Sequence, residues 1–240
     1  MVLRIHAIPE SQLRHVLIAD SAFDTSGKEK SQFGYLLGFT TPGLNQGQTA
    51  PVSLMQWKSK RLRRKASSSL LCEAICMSAA TGAMERMVAF MESIRFSNFN
   101  PRTKQRSEDE ILETFGKTKV IASEVRAFSD PQGTAIVDAK ALFDSLNSDQ
   151  SNGDDDRAAL EIAIIKESLA VTKTRPRWVP HNVNPADSLT KVENAHVEPM
   201  LRFLKNHAYM IEEEEEVLER GRQSQHRMKS SSRTEGNFQF

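Results

Sequence analysis

The stretch His15-Val-Leu-Ile-Ala-Asp20 is a short apolar run that ends on a carboxylate, and it decides the fold class. A run of this length and composition is typical of a central strand that is buried on both faces. Two further strand candidates follow at residues 32–40 and 51–57, separated by a connection rich in Pro and Gly. Three successive strands joined by turns predict an antiparallel meander.

The second half of the chain alternates helices with strands. Ser67, Ser68 and Ser69 precede an apolar periodic run and predict a long helix that ends near Phe96. The other predicted elements are a strand at 133–137, helices at 139–146 and 157–171, a strand at 176–180 and a helix at 197–209. Such alternation adds parallel strands to the sheet. We therefore expect an α/β fold with a mixed five-stranded sheet, antiparallel in its first three strands and flanked by helices.

Composition narrows the classes of protein to which the chain can belong. With 240 residues, 39% of them hydrophobic, it has enough apolar material for one well-filled domain plus extensions. Its formal net charge is only +1, so the total does not indicate a strongly basic nucleic-acid binder. Cys72 and Cys76 are too few for a disulfide framework or a complete zinc site, and their spacing predicts buried thiols on one helix face.

The sequence also indicates where in the cell the protein is expected. No apolar run reaches the roughly 18 residues that a membrane span requires, and the N-terminus has no signal-type apolar core. We expect an intracellular protein with no membrane contact, and nothing in the residues separates cytoplasm from nucleus.

Four segments are expected along the chain. Residues 1–13 form an N-terminal lead-in, and residues 14–191 form the domain, with a charged insertion at 98–131. Residues 192–211 are expected to contain a C-terminal helix. Residues 212–240 begin with a run of glutamates and end rich in Arg, Gln and Ser, which predicts a disordered charged tail.

Four carboxylates lie where buried elements begin or end. Asp20 and Asp138 each follow an apolar strand, Glu73 lies in the first turn of the long helix, and Asp187 lies at the start of the last core helix. A charge beside so much apolar surface is costly unless it is paired or binds metal, and Mg²⁺ suits carboxylate ligands. Each acid alone could equally cap a turn or a helix. The residue pattern alone leaves both readings open.

Five blocks of the chain then occur in a specific order: Asp20 to Phe23, Lys30 to Leu36, Trp57 to Arg64 leading to Ser67–Ala74, Val137 to Asp144, and Arg177 to Pro180 continuing through Ala186 to Lys191. Together they resemble the ribonuclease H domain of copia-type retrotransposon Pol polyproteins. The resemblance covers roughly Arg14 to Lys191 and implies a ribonuclease H-like fold. In that family a reverse transcriptase module accompanies the domain, and its Tyr-x-Asp-Asp signature is absent here.

The resemblance implies an endonuclease that hydrolyses the RNA strand of RNA–DNA hybrids. By position, Asp20, Glu73, Asp138 and Asp187 match the family's catalytic acids, which hold two Mg²⁺ ions, with Mn²⁺ as a substitute. The implied mechanism uses one metal to activate water and the other to stabilise the departing 3′ oxygen. Hybrid recognition would depend on RNA 2′-hydroxyls and backbone shape.

Two other features have competing interpretations. The cations of the basic stretch could bind phosphates near the metals or form a solvated connection; they are Lys58, Lys60, Arg61, Arg63, Arg64 and Lys65. His181 could be an accessory residue in product release or a plain loop histidine. Trp57 and Trp178 are expected in or near the core rather than as platforms for bases.

Two alternatives to an active nuclease stay open. One is a catalytically inactive nucleic-acid-binding relic of the retrotransposon domain, suggested by the missing polymerase module. The other is an interaction protein that uses the Glu-rich tail segment beginning at Glu212.

Overall fold

A computed structural model describes residues 3–24, 31–95, 130–148, 155–191 and 196–212. The main sheet contains five strands: β1 (Arg14–Ala22), β2 (Gln32–Thr40), β4 (Ser53–Arg61), β5 (Gly133–Val137) and β6 (Thr174–Trp178). Two short strands, β3 (Ala50–Pro51) and β7 (Ala208–Tyr209), pair with each other. The helices are α1 (Ser69–Arg95), α2 (Lys140–Leu146), α3 (Asp156–Val171) and α4 (Glu198–Asn206). Short 3₁₀ helices cover Glu10–Gln12, Pro42–Gln46, His181–Val183 and Pro185–Leu189.

The order of strands in the main sheet is β4-β2-β1-β5-β6. β1, β2 and β4 are antiparallel neighbours, whereas β5 and β6 run parallel to β1. The expected mixed five-stranded sheet, antiparallel in its first three strands and flanked by helices, is confirmed.

β1 is the central strand because apolar side chains cover both of its faces. Leu17 and Ala19 join a core formed with α1, α2 and α3. Val16 and Ile18 join a second core on the opposite face, which α4 and the 3₁₀ helix Pro185–Leu189 complete. Continuous burial on two faces explains why the sequence of β1 shows an unbroken apolar run instead of an alternation.

Several element boundaries differ from the expected ones. β1 continues past Asp20 to Ala22, and β4 continues past Trp57 to Arg61, so the first half of the basic stretch is strand rather than a connection. β6 begins at Thr174 and contains Pro176. This proline is tolerated because β6 is an edge strand that pairs only with β5.

The C-terminal helix is shorter than expected. Residues 197–209 were predicted as one helix, but α4 ends at Asn206, because His207 adopts a left-handed conformation (φ 51°). The chain then forms β7, which pairs with β3. Most of the expected insertion at 98–131 and nearly all of the tail at 212–240 lie outside the described residues.

The two tryptophans differ from each other in burial. Trp178 is partly buried and packs against the core, as expected. Trp57 is 55% exposed, so the expectation of a core or near-core position is wrong for this residue. The reason is that β4 is the outermost strand, where a side chain has a neighbouring strand on one flank only. No helix in the described ranges is long and apolar enough to cross a membrane.

Candidate metal centre

Asp20 lies near the carboxyl end of the central strand β1 and is almost fully buried. The Thr190 hydroxyl donates a hydrogen bond to Asp20 Oδ2. Lys191 Nζ lies 3.4 Å from Asp20 Oδ1. The buried part of β1 therefore carries, near its end, a carboxylate that two polar side chains of one segment contact.

Asp138 follows β5 directly and is half-buried. β5 is the parallel neighbour of β1, so the carboxyl ends of both strands lie at the same edge of the sheet. The Trp178 indole Nε1 donates a 2.9 Å hydrogen bond to the Asp138 backbone oxygen, which fixes the backbone at this position.

Asp187 lies in the 3₁₀ helix Pro185–Leu189 and is fully buried. Asn184 caps this helix by accepting a hydrogen bond from the Ala186 N–H, and its Nδ2 donates to the Ala19 carbonyl of β1 at 3.3 Å. The turn is thus attached to the central strand one residue before Asp20. The expected helix start at Asn184–Asp187 is present, but as a single 3₁₀ turn.

Gly34 lets the segment that carries Asp187 lie directly on the sheet. Gly34 is the β2 partner of Asp20, and a Cβ added to it would clash with Leu189 Cβ. Ser59 Oγ and Gln32 Nε2 both donate to the Leu189 carbonyl, at 2.6 and 3.0 Å. Close backbone approach is a common reason for glycine inside a strand.

The structure brings three of the four expected acids together. One carboxylate oxygen from each of Asp20, Asp138 and Asp187 lies within 4.8 Å of the other two. The three residues come from β1, from the end of β5 and from a turn almost fifty residues further on, so only the folded chain creates the group.

The electrostatics of the group show that its negative charges are poorly compensated by protein. Burial, and then the charge of Asp138, raise the pKa of Asp20 to about 7. Burial, and then the charge of Asp187, raise the pKa of Asp138 to about 6. Carboxyl groups that repel one another in a partly dry site are stabilised by a bound cation.

The fourth expected acid, Glu73, lies on α1 and is half-buried. It is not a member of the 4.8 Å group. Its charge is nevertheless coupled to the group, because burial, followed by the charges of Asp20 and Asp138, raises the pKa of Glu73 well above its ordinary value.

Two residues at the centre were missed by sequence reasoning. Lys191 Nζ lies 3.0 Å from Asp187 Oδ1, and His196 Nδ1 lies 3.0 Å from Asp187 Oδ2. Burial lowers the pKa of Lys191, but the charges of Asp20 and Asp187 outweigh burial and hold it above its ordinary value. Lys191 is four residues from Asp187 and could have been noticed, whereas His196 gives no such signal in the sequence.

The group fits a hard divalent cation. Its donors are carboxylate oxygens, the ligands that Mg²⁺ and Mn²⁺ prefer. Asp187 Oδ1 is buried without a regular hydrogen bond among the described residues, and Lys191 Nζ lies 3.0 Å from it as an ion-pair partner. A cation at this oxygen would satisfy the polar atom and reduce the mutual repulsion of the acids.

The remaining predicted site residues lie on the surface. His181 is exposed at the start of the 3₁₀ helix His181–Val183 and is not in the acidic group. All six cations of the basic stretch are exposed. Lys58, Lys60 and Arg61 belong to β4, and Arg64 Nη2 forms a 2.7 Å ion pair with Glu161 Oε1 of α3.

The sequence matches no protein-family model and no curated protein. Among solved structures, the chain is similar to the N-terminal ribonuclease H domain of a Mycobacterium tuberculosis protein, studied as a fusion with maltose-binding protein. That likeness has 10% identity and a TM-score of 0.43, and covers 80% of this chain and 98% of that one. Ribonuclease H1 from the archaeon Halobacterium salinarum shares 12% identity at a TM-score of 0.43, over 77% of this chain and 98% of that one. The foamy viral protease–reverse transcriptase in complex with an RNA/DNA hybrid shares 10% identity at a TM-score of 0.43, over 78% of this chain and 21% of that one. At such identities the chemistry must be argued from the chain's own residues.

Proposed function

We propose that this chain is a metal-dependent endonuclease that hydrolyses the RNA strand of RNA–DNA hybrids, and that it derives from a copia-type retrotransposon polyprotein. One observation carries the nuclease proposal: carboxylate oxygens of Asp20, Asp138 and Asp187 lie within 4.8 Å of one another. The ordered sequence blocks support the retrotransposon origin, and in that family a reverse transcriptase module would be the partner.

Asp20, Asp138 and Asp187 would hold the divalent cations, with Glu73 as the fourth acid. Bound dications of this kind activate water and stabilise the charge that develops on a departing 3′ oxygen. The protein's own part is to hold the acids close together. Asn184 does so by tying the Asp187 turn to β1, and Trp178 by fixing the Asp138 backbone.

The basic stretch would hold the phosphates of the hybrid. Lys58, Lys60 and Arg61 are exposed on an edge strand, and Ser59 of that strand bonds to the segment that carries Asp187. A phosphate contact releases counterions, so hybrid affinity should fall as salt rises.

Hybrid cleavage by the purified chain tests the proposal. With Mg²⁺ the protein should cut the RNA strand, and Asp138→Asn should reduce the rate roughly a hundredfold or more, because a metal ligand is lost. Asp144→Asn is the matched control, since Asp144 is an exposed acid on α2 that pairs with Lys140. The control should cut at the wild-type rate.

The outcomes separate the two nucleic-acid functions. Equal cleavage by Asp138→Asn and the wild type would contradict the nuclease proposal. Salt-sensitive hybrid binding by the wild type without any Mg²⁺-dependent cleavage would instead identify the inactive binding relic.

A further inference from the structure

We propose that the exposed face of β4 binds an unpaired nucleic-acid strand beside the acidic group, with a base stacked on Trp57. This inference rests on the proposed function, since the strand would be a single-stranded extension of the nucleic acid held at the metal centre. It assigns a role to a side chain that neither the core nor the acidic group uses.

Trp57 has the position of a binding residue rather than of a packing residue. Among the described residues β4 is an edge strand that pairs with β2 alone, and Trp57 is 55% exposed although tryptophan is usually well buried. Met55 on the same strand is 49% exposed. Large aromatic side chains left in water beside cations are typical of sites for single strands.

The charge around Trp57 is complementary to a phosphate backbone. The pairing with β2 sets Trp57, Ser59 and Arg61 on one face of β4, and Lys58 and Lys60 on the other. All of these residues are exposed. No Asp or Glu occurs between Ser31 and Cys72, whereas the basic stretch within that segment supplies six cations. Three of them, Lys58, Lys60 and Arg61, belong to β4, so a nucleic-acid strand on the second half of β4 meets positive charge.

β4 is physically continuous with the acidic group. Ser59, two residues from Trp57 on the same face, donates a 2.6 Å hydrogen bond to the Leu189 carbonyl. Leu189 is two residues from Asp187, and its neighbour Thr190 donates to Asp20. Residues two apart on a strand are separated by about 7 Å, roughly the spacing of neighbouring nucleotides in an extended strand. A strand that leaves the metal centre along β4 would therefore meet Trp57.

An unpaired strand fits this surface better than a duplex does. Within a duplex each base is covered by its neighbours, so an indole ring can stack only on a base that is unpaired or at an end. Stacking of this kind is tolerant of sequence, and flanking Lys and Arg side chains hold the phosphates. RNA and DNA strands share this chemistry.

The test compares a blunt DNA duplex with the same duplex carrying a single-stranded overhang of about ten nucleotides. DNA alone is not a substrate of the proposed nuclease, so cleavage does not interfere. The full chain should bind the overhang form more tightly, and Trp57→Ala should reduce that affinity roughly tenfold while leaving blunt affinity unchanged. Trp57→Phe should restore part of the loss because a phenyl ring also stacks. Phe90→Ala, which removes an exposed aromatic side chain from α1, is the control and should bind like the wild type.

Tryptophan fluorescence gives a second readout, because the chain contains only two tryptophans. Overhang binding should quench emission from the wild type, and Trp57→Phe should lose this quenching. Wild-type affinity and quenching in the Trp57 variants would overturn the inference. An overhang preference that depends on Trp57, in a chain that fails to cleave hybrids, would contradict the nuclease proposal alone.

Discussion

Each end of strand β1 buries a titratable side chain, and the pKa values of these two side chains are shifted in opposite directions. At one end, burial and then the charge of Arg14 lower the pKa of His15 to about 4, and His15 Nε2 lies 2.6 Å from Thr174 Oγ1. At the other end, burial and the charge of Asp138 raise the pKa of Asp20 to about 7. His15 is therefore neutral and paired, whereas Asp20 lies beside two further carboxylates, Asp138 and Asp187, with Thr190 and Lys191 as its polar contacts.

The difference shows how a buried polar residue with a structural role can be distinguished from a binding site for a cation. A buried group that can be neutral and hydrogen-bonded is stable without a ligand. Near pH 7, the repulsion within a cluster of carboxylates is relieved only when the cluster takes up protons or a cation. The difference lies in the neighbours of each group, because both residues lie on the same strand and both are buried.

The largest expected effect on stability concerns the histidine end. Because the folded pKa of His15 is about 4 and its ordinary value is 6.5, the unfolded state binds more protons between these pH values. Neutral His15 contributes up to about 3 kcal/mol to the free energy of unfolding. This contribution is fully present above pH 6.5 and is lost as the pH falls towards 4. Between pH 6.5 and 4 we expect the free energy of unfolding, measured in urea, to fall by this amount more for the wild type than for His15→Gln. Parallel pH profiles of the two proteins would show that His15 is not buried neutral.

The next prediction concerns Gly34, which lets the segment that carries Asp187 lie directly on the sheet. Gly34→Ala should place a methyl group against Leu189 and lower the free energy of unfolding by roughly 2 kcal/mol. It should also weaken Mg²⁺ binding, because Leu189 and Asp187 belong to the same turn. Gly82→Ala is the matched control in α1, where an added Cβ meets only Arg86 Nη1 at 3.8 Å. Equal stabilities for the two variants would refute the close-approach role of Gly34.

The smallest of these effects concerns Lys191, whose ammonium lies between Asp20 and Asp187. Lys191→Met should tighten Mg²⁺ binding a few-fold, about 1 kcal/mol, because a competing positive charge is removed. The same variant should be less stable than the wild type in EDTA. Lys205→Met, on the exposed surface of α4, should change neither value. Weaker Mg²⁺ binding by Lys191→Met in calorimetric titrations would mean that the ammonium assists the metal instead of competing with it.

The sequence allowed prediction of those elements that depend on local residue patterns. The apolar runs before Asp20 and Asp138 predicted two buried strands, and the Asn184–Asp187 segment predicted a helical start. These signals depend on residues close in the chain, where burial and turn chemistry act directly.

What sequence reasoning missed depends on tertiary contacts. The exposure of Trp57 follows from the place of β4 at the sheet edge, which no local pattern shows. His196 Nδ1 lies 3.0 Å from Asp187 Oδ2, a contact that no local pattern in the sequence shows. The role of Gly34 likewise depends on a segment more than 150 residues away.

The most direct measurement of the central claim is thermal unfolding with and without Mg²⁺ at pH 7.5, for the wild type and Asp138→Asn. In EDTA the variant should be the more stable protein, since burial and the charge of Asp187 raise the pKa of Asp138 to about 6 and its ionised form therefore destabilises the fold above that pH. Mg²⁺ should raise the unfolding temperature of the wild type and should have little effect on Asp138→Asn. An equal rise in both proteins, or none in the wild type, would contradict a metal site built from Asp20, Asp138 and Asp187.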